Sequence, residues 1–201
     1  MIFNFTNNFQ FSTRLQLKGN NIEIVDKMKI LGTIVNNQLT WDDNCKNLIK
    51  KVNNRMQLIR SIQSFGATQE ELVHLWKIFC RSVLEQSCVV WGPSLTQENS
   101  NNLERTQKTF AKLILKEKFK NYEESLMLLN LDTLEKRRQE LCLRFAKNGI
   151  KQDKLNDLFP KNYKEHEMKT RNVKKYKVNF ANTERYKKSS IVAMQNMLNE
   201  E

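Results

Sequence analysis

The residues best suited by type to metal chemistry are two adjacent carboxylates behind an aromatic ring, Trp41-Asp42-Asp43. Two-metal catalysis needs carboxylates that converge on Mg²⁺ from separate strands. Here the pair opens a helical pattern, where exposed backbone N–H groups and the helix dipole favour Asp, so capping is the expected role. The histidines are His74 and His166, and none of Cys45, Cys80, Cys88 and Cys142 forms a C-x-x-C pair, so zinc-ligand spacing is missing. The four thiols sit among apolar neighbours and are expected to be buried and free, as in a reducing compartment. There is no glycine-rich phosphate loop and no recognisable Ser/His/Asp set. Glu70, Glu71 and Glu85 read as solvent-facing helix charges, and His74 as a structural or surface residue. No catalytic group, metal ligand or cofactor is expected.

Basic residues are the second class of candidate. The formal charge is +12, which draws a chain toward polyanions, nucleic acid first. The 24 Lys, 10 Arg and 24 Asn also fit an AT-rich coding bias, which enriches Lys without any binding role. Between Arg144 and Lys188 stand 14 Lys or Arg against 5 Asp or Glu, a block that reads as a solvated tail. Lys50, Lys51, Arg55 and Arg60 accompany the apolar stripe of one helix, where they form a solvated face or follow a phosphate backbone. Arg137-Arg138 is the best local case, because adjacent guanidiniums can take bidentate phosphate contacts; they could equally pair with Glu135 and Glu140.

These candidates must be positioned by a small β segment and a helical body. Leu15-Gln16-Leu17 and Ile22-Glu23-Ile24-Val25, joined by Lys18-Gly19-Asn20-Asn21, predict a hairpin. Met1 to Phe5 is also β-like, and Lys29 to Val35 reads as a third strand whose Gly32 marks a bulge or a close approach by another backbone. Cys45, Leu48, Ile49, Val52, Met56 and Ile59 share one helical face, with Thr40 as N-cap and Lys46, Lys50, Arg55 and Gln57 opposite. A central helix is predicted over Gln69–Trp91, ended by Gly92-Pro93, and a third over Glu98–Lys116. A short fourth spans Tyr122–Asn130. A fifth, capped by Thr133, turns Leu134, Leu141, Cys142 and Phe145 inward and Arg137, Arg138 and Arg144 outward. Asn148–Asn182 reads as loop or partial order, and Ser190–Leu198 as a short closing helix.

The fold class is thus α+β, predominantly α-helical: residues 1–37 a β-hairpin or small antiparallel sheet, 38–147 about five helices, 148–201 a basic, partly irregular tail. Met1 to Gln10 carries neither positive charge nor a long apolar run, and no stretch nears the ~20 apolar residues of a membrane span. An intracellular, soluble chain of nucleus or cytoplasm is expected.

Four segments resemble one family. Lys29-Ile30-Leu31-Gly32-Thr33-Ile34-Val35 with Leu39-Thr40-Trp41 is similar to the hydrophobic-Leu-Gly strand and Leu-x-Trp helix start just beyond the palm of non-LTR (LINE-like, jockey-type) retrotransposon reverse transcriptases. Arg81-Ser82-Val83-Leu84-Glu85 through Trp91 resembles their R-S-x-L-E-x-x-x-x-x-W. Leu103-Glu104-Arg105-Thr106-Gln107-Lys108 resembles L-E-R-x-Q-K, and Leu131 to Arg138 resembles L-x-T-L-x-x-R-R. The end, Ser189-Ser190-Ile191 to Leu198-Asn199, also looks like the terminus of such a reading frame. The resemblance implies that Leu31 and Gly32 belong to a primer grip and that the helices from Thr40 form a thumb tracking the template–primer duplex. It makes Lys50, Lys51, Arg55, Arg105, Lys108, Arg137 and Arg138 candidate backbone contacts to RNA–DNA or DNA duplex. The aromatic-x-Asp-Asp palm turn is missing from these residues, so Mg²⁺ would belong to that palm and the chain alone is not expected to polymerise. The alternative is a helical module with no nucleic-acid role, which binds a protein partner, a palm and fingers, or itself through the apolar faces of its hairpin and first helix, or else an inert remnant.

Overall fold

The structure, a computed structural model, describes residues 16–23, 25–162 and 175–200. The expected strand at Met1 to Phe5, together with Leu15, Ile24 and His166, lies outside the described residues. The architecture is α+β and predominantly helical.

Two antiparallel strand pairs open it. β1 (Gln16–Leu17) pairs with β2 (Asn20–Asn21), so Asn20 and Asn21 belong to a strand and only Lys18 and Gly19 make the turn. The run read as a single third strand is itself a hairpin, β3 (Lys27–Ile30) against β4 (Thr33–Asn36), with Ile30 opposite Thr33. Gly32 is therefore a turn residue rather than a bulge. Leu31 (φ 47°) and Gly32 (φ 89°) are both left-handed, the geometry that matches the twist of a tight hairpin. Glycine adopts it freely; for leucine it costs about 1–2 kcal/mol. The close approach at Gly32 comes from a side chain rather than from another backbone: a Cβ there would meet Gln86 Nε2 at 2.4 Å.

β4 leads into α1 (Asp42–Ser64), and the Ile34 N–H donates to Asn44 Oδ1 at 3.1 Å. Thr40 is not the N-cap. Its hydroxyl accepts from Asn36 Nδ2 (2.7 Å) and its N–H donates to Asn36 Oδ1 (2.8 Å), so the helix starts one residue later, behind Trp41. Asp42 and Asp43 occupy the first turn, as the dipole argument required.

The helix predicted over Gln69–Trp91 is broken. α2 (Gln69–Leu75) starts on a Thr68–Glu71 capping box and runs into a π turn, Trp76–Arg81, before α3 (Ser82–Leu84). Ser87 is left-handed, and α4 (Cys88–Trp91) follows in a new direction. The sequence is apolar around most of the helix circumference. The π turn and the break let Trp76, Cys80, Leu84 and Trp91 all reach the core, while Ile78 and Val90 stay exposed.

α5 (Gln97–Leu115), α6 (Tyr122–Leu128) and α7 (Leu134–Gly149) are capped by the side chains of Thr96, Asn121 and Thr133. α6 ends at left-handed Asn130, with the Leu131 N–H donating to Leu126 C=O at 2.9 Å. The main core lies between α1, α2–α4 and α5, where Trp76 stacks on Phe110 at 4.5 Å.

The described part of the tail is irregular in backbone but docked. α8 (Asp153–Asn156) and α9 (Glu184–Lys187) are single turns, and α10 (Ser190–Glu200) packs on α7. Phe159 and Tyr176 join Cys142, Ala146, Met194 and Leu198 in a second apolar cluster. Amides of α10 satisfy the irregular backbone: Gln195 accepts from the Asn179 N–H and donates to Leu158 C=O, both at 2.8 Å, and Asn199 pairs with both backbone groups of Tyr176. Among the described residues no helix is long and apolar enough to cross a membrane.

All four cysteines are free and buried. Burial pushes the Cys45 and Cys88 thiols up to about 12, and those of Cys80 and Cys142 up to about 11, from an ordinary 9.0. Between 9.0 and those values the unfolded chain sheds thiol protons that the folded chain keeps. This stabilisation is whole below pH 9.0 and is lost as pH rises through 11 to 12. The expected result, in reductant, is a urea midpoint that declines steadily above pH 9.0, with all four thiols unreactive to a thiol reagent until the chain unfolds; early labelling or a level midpoint would contradict it.

Candidate nucleic-acid interface

The candidate cations divide into two groups according to where the helices turn them. Arg55 lies on the flank of α1, not its outer face. Its Nη1 donates to the Phe79 carbonyl inside the π turn, and its guanidinium stacks 4.5 Å from the Phe79 ring centroid. Arg137 donates through Nε to Glu85 Oε1 (3.0 Å), through Nη2 to Glu85 Oε2 (3.4 Å) and through Nη1 to Glu140 Oε2 (3.1 Å). Glu85, read as solvent-facing, instead stands largely covered between Arg137 and Arg81, the latter 3.4 Å away. The paired carboxylate raises the Arg137 pKa, while burial pulls that of Arg81 below its ordinary value. Arg138 is only 5% exposed, which corrects the outward placement expected of it. The reason is the phase of α7: Leu134, Arg138 and Cys142 follow at i, i+4 and i+8 on the buried face.

The remaining candidates face outward. Lys50, Arg105 and Lys108 are exposed and Lys51 is half-buried. Arg105 leans on Asn102 Oδ1 at 2.9 Å. On α1, Lys46, Lys50, Asn53, Gln57 and Arg60 are all exposed and recur at i, i+4, i+7, i+11 and i+14, so they form one continuous stripe. At 1.5 Å per residue it runs for roughly 21 Å. From Asn44 to Gln69 the sequence holds no Asp or Glu, so nothing on this helix beyond its first turn neutralises the stripe. Leu31 stands 92% exposed at the hairpin tip, its carbonyl held by Gln86 Nε2 at 3.2 Å.

The polar residues within the quoted motifs turn out to be fasteners. Glu104 accepts from Tyr122 Oη and from the Leu134 N–H at the start of α7. Gln107, fully buried, accepts from Trp76 Nε1 at 3.3 Å and donates to Tyr122 Oη (3.1 Å) and Asp132 C=O (2.8 Å). Burial, then the bond to Glu104, raises the Tyr122 phenol pKa. These roles were missed because a Glu or Gln in a polar helix reads as surface. The available signal was helical phase, since Leu103, Gln107 and Phe110 share a face at i, i+4 and i+7.

Asp42 and Asp43 do not converge on one point: Asp42 Oδ1 accepts from Asn99 Nδ2 at 2.8 Å, and Asp43 lies 3.9 Å from Lys27. Among the described residues no group of three or more His, Cys, Asp or Glu is placed to hold a metal ion. No protein-family model, no curated protein and no solved structure matches the chain.

The division has a measurable consequence. Arg55→Ala and Arg137→Ala each remove charged hydrogen bonds from partly buried acceptors and are expected to lower unfolding free energy by about 1–3 kcal/mol. Lys50→Ala, Arg105→Ala and Lys108→Ala should stay within about 0.5 kcal/mol of the parent. Chemical denaturation of the five variants checks both halves, and equal losses in the two groups would erase the distinction.

Proposed function

We propose that this chain is the primer-grip and thumb region of a non-LTR reverse transcriptase, and that it holds a template–primer duplex by its phosphates without reading sequence. The observation that carries the reading is the acid-free stripe of Lys46, Lys50, Asn53, Gln57 and Arg60, in which two amides stand between cations. Ammonium and guanidinium groups neutralise phosphates, and amides donate to phosphate and sugar oxygens, so such a stripe follows a backbone. Its length of roughly 21 Å matches about six nucleotide steps at 3.4 Å each along one strand. Supporting it, the exposed Leu31 sits at a strained hairpin tip tied by Gln86 to the helical body, a placement suited to touching a strand end. The ordered resemblance of four segments supplies the family. In this reading Mg²⁺ and its carboxylates belong to a palm outside these residues, and the chain alone adds no nucleotides.

A second reading is favoured by a separate observation. Leu17, Ile22, Val25, Met28, Ile30 and Leu31 are all exposed along the two hairpins and the segment that joins them. Apolar surface gathered on one segment marks a protein interface, here a palm domain or a second copy of the chain.

Fluorescence anisotropy with a labelled RNA–DNA hybrid tests the first reading. Affinity should fall steeply with salt and be indifferent to sequence, and Lys46→Ala/Lys50→Ala/Arg60→Ala together should reduce the log–log salt slope by about 2–3. A titration insensitive to salt, or a triple variant with the parental slope, would defeat it. For the second reading, light scattering should show self-association that Leu31→Asp with Ile30→Asp abolishes; a monodisperse parent would leave only an absent palm as the partner.

A further inference from the structure

Besides its buried side and the stripe of exposed cations and amides, α1 carries a third face. Lys51, Arg55, Leu58, Ile62 and, just past the helix end, Phe65 recur at i, i+4, i+7, i+11 and i+14. Steps of four and three in alternation are the 3.5-residue period of a seam between two helices. The core leaves much of this face in solvent. Phe65 stands 88% exposed and Leu58 48%, and Ile78, on the π turn that packs on α1, is exposed as well. Where α1 passes into α2, Ile62, Phe65, Glu70, Glu71, His74 and Leu75 line an open cleft of about 890 Å³.

Charge divides the face lengthwise. Lys51 and Arg55 stand at one end, Arg55 turned onto the Phe79 ring, and Glu70 and Glu71, in the first turn of α2, stand at the other. These four formal charges cancel on a chain that carries +12, so the face exerts no net pull on a polyanion. A surface that is basic at one end, apolar in the middle and acidic at the other is complementary to itself under a two-fold rotation. Two α1 helices laid antiparallel about the midpoint of Leu58 and Ile62 set each Leu58 against the second copy's Ile62. Arg55 then meets the second copy's Phe65, a ring that attracts a guanidinium. Lys51 comes level with the second copy's Glu70. A parallel pairing would instead set Lys51 on Lys51, like charge on like.

We propose that through this face of α1 the chain pairs with a second copy of itself as an antiparallel, two-fold dimer. The inference does not rest on the duplex reading. Lys50 and Gln57 of the stripe each precede a seam residue by one position, about 100° around the helix, so the stripe stays uncovered in the dimer. Self-association is thereby assigned to the helix and not to the hairpins.

Sedimentation equilibrium of the full chain at moderate salt tests it. The parent should form a dimer with a dissociation constant in the micromolar range, as fits a small interface. Lys51→Glu alone and Glu70→Lys alone should each weaken association by about tenfold, because the dimer holds that contact twice. The two single variants mixed together should regain the parental affinity as a mixed dimer, and the double variant should regain it by itself. Leu58→Asp should leave a monomer, whereas Leu31→Asp with Ile30→Asp should leave the dimer intact. Circular-dichroism melts identify any variant that does not fold; if Leu58→Asp is one, the charge exchange decides. A parent that stays monomeric at high micromolar concentration would overturn the inference. So would association that survives Leu58→Asp, single variants that stay weak when mixed, or a dimer abolished by the hairpin substitutions.

Discussion

One buried amide sets the geometry on which everything else hangs. Gln107 has no access to solvent, and an unpaired polar group there would cost about 1–3 kcal/mol. Its bonds reach Trp76 at the start of the π turn, Tyr122 in α6 and the Asp132 carbonyl just ahead of α7. One turn earlier on α5, Glu104 takes the Tyr122 hydroxyl and the first free N–H of α7. Apolar packing is tolerant of small slides and rotations, whereas a directional polar junction is not. The phase of α7 that follows from this junction sends Arg138 inward and brings Arg137 to Glu85, and the same frame fixes which face of α1 remains outside.

Much of this was written into the apolar periodicity. The apolar faces of α1 and α5, the cap at Thr133 and the helix-opening role of Asp42-Asp43 follow from spacing and local hydrogen bonding. Other features required tertiary information. Gln69–Trp91 is apolar on nearly every side, so periodicity could not locate the π turn or the break at Ser87; what decides them is the need to bury Trp76 and Trp91 together. Lys29–Val35 alternates like one strand, and the two-residue turn at Leu31-Gly32 hides there because leucine is a poor left-handed residue. Thr40 looks like a cap until Asn36, four residues back, takes its hydroxyl.

The candidate interface shows a sharper limit. Composition counts charges, but only packing says which of them face solvent. Arg55, Arg81, Arg137 and Arg138 are all wholly or partly withdrawn, while Lys46, Lys50 and Lys108 are exposed. The chemistry of the two side chains explains why the cations that are covered here are arginines. A guanidinium is weakly hydrated and planar, so it can be taken inside and can hold a carbonyl or a carboxylate through a fork; an ammonium is strongly hydrated and is left at the surface. Arg60 and Arg105 are nevertheless exposed, so side-chain type separates fasteners from candidates for phosphate only when read together with helical phase.

β4 is seated on the helical body, with Thr33 buried and Val35 packed on the core, whereas the hairpin tip is tied to it by a single polar link, and that gives the strain at Leu31 its meaning. The Ile34 N–H on Asn44 and the Leu31 carbonyl on Gln86 bind β4 and the turn to the helices, while the outer ends of β3 stay exposed. A left-handed leucine with its side chain in solvent gains nothing from burial to offset a backbone cost of about 1–2 kcal/mol. Asparagine or glycine would hold the same turn without that cost. The tip therefore presents an apolar side chain at a fixed point and is not optimised for stability, which is the pattern expected of a residue whose contact lies outside the folded chain.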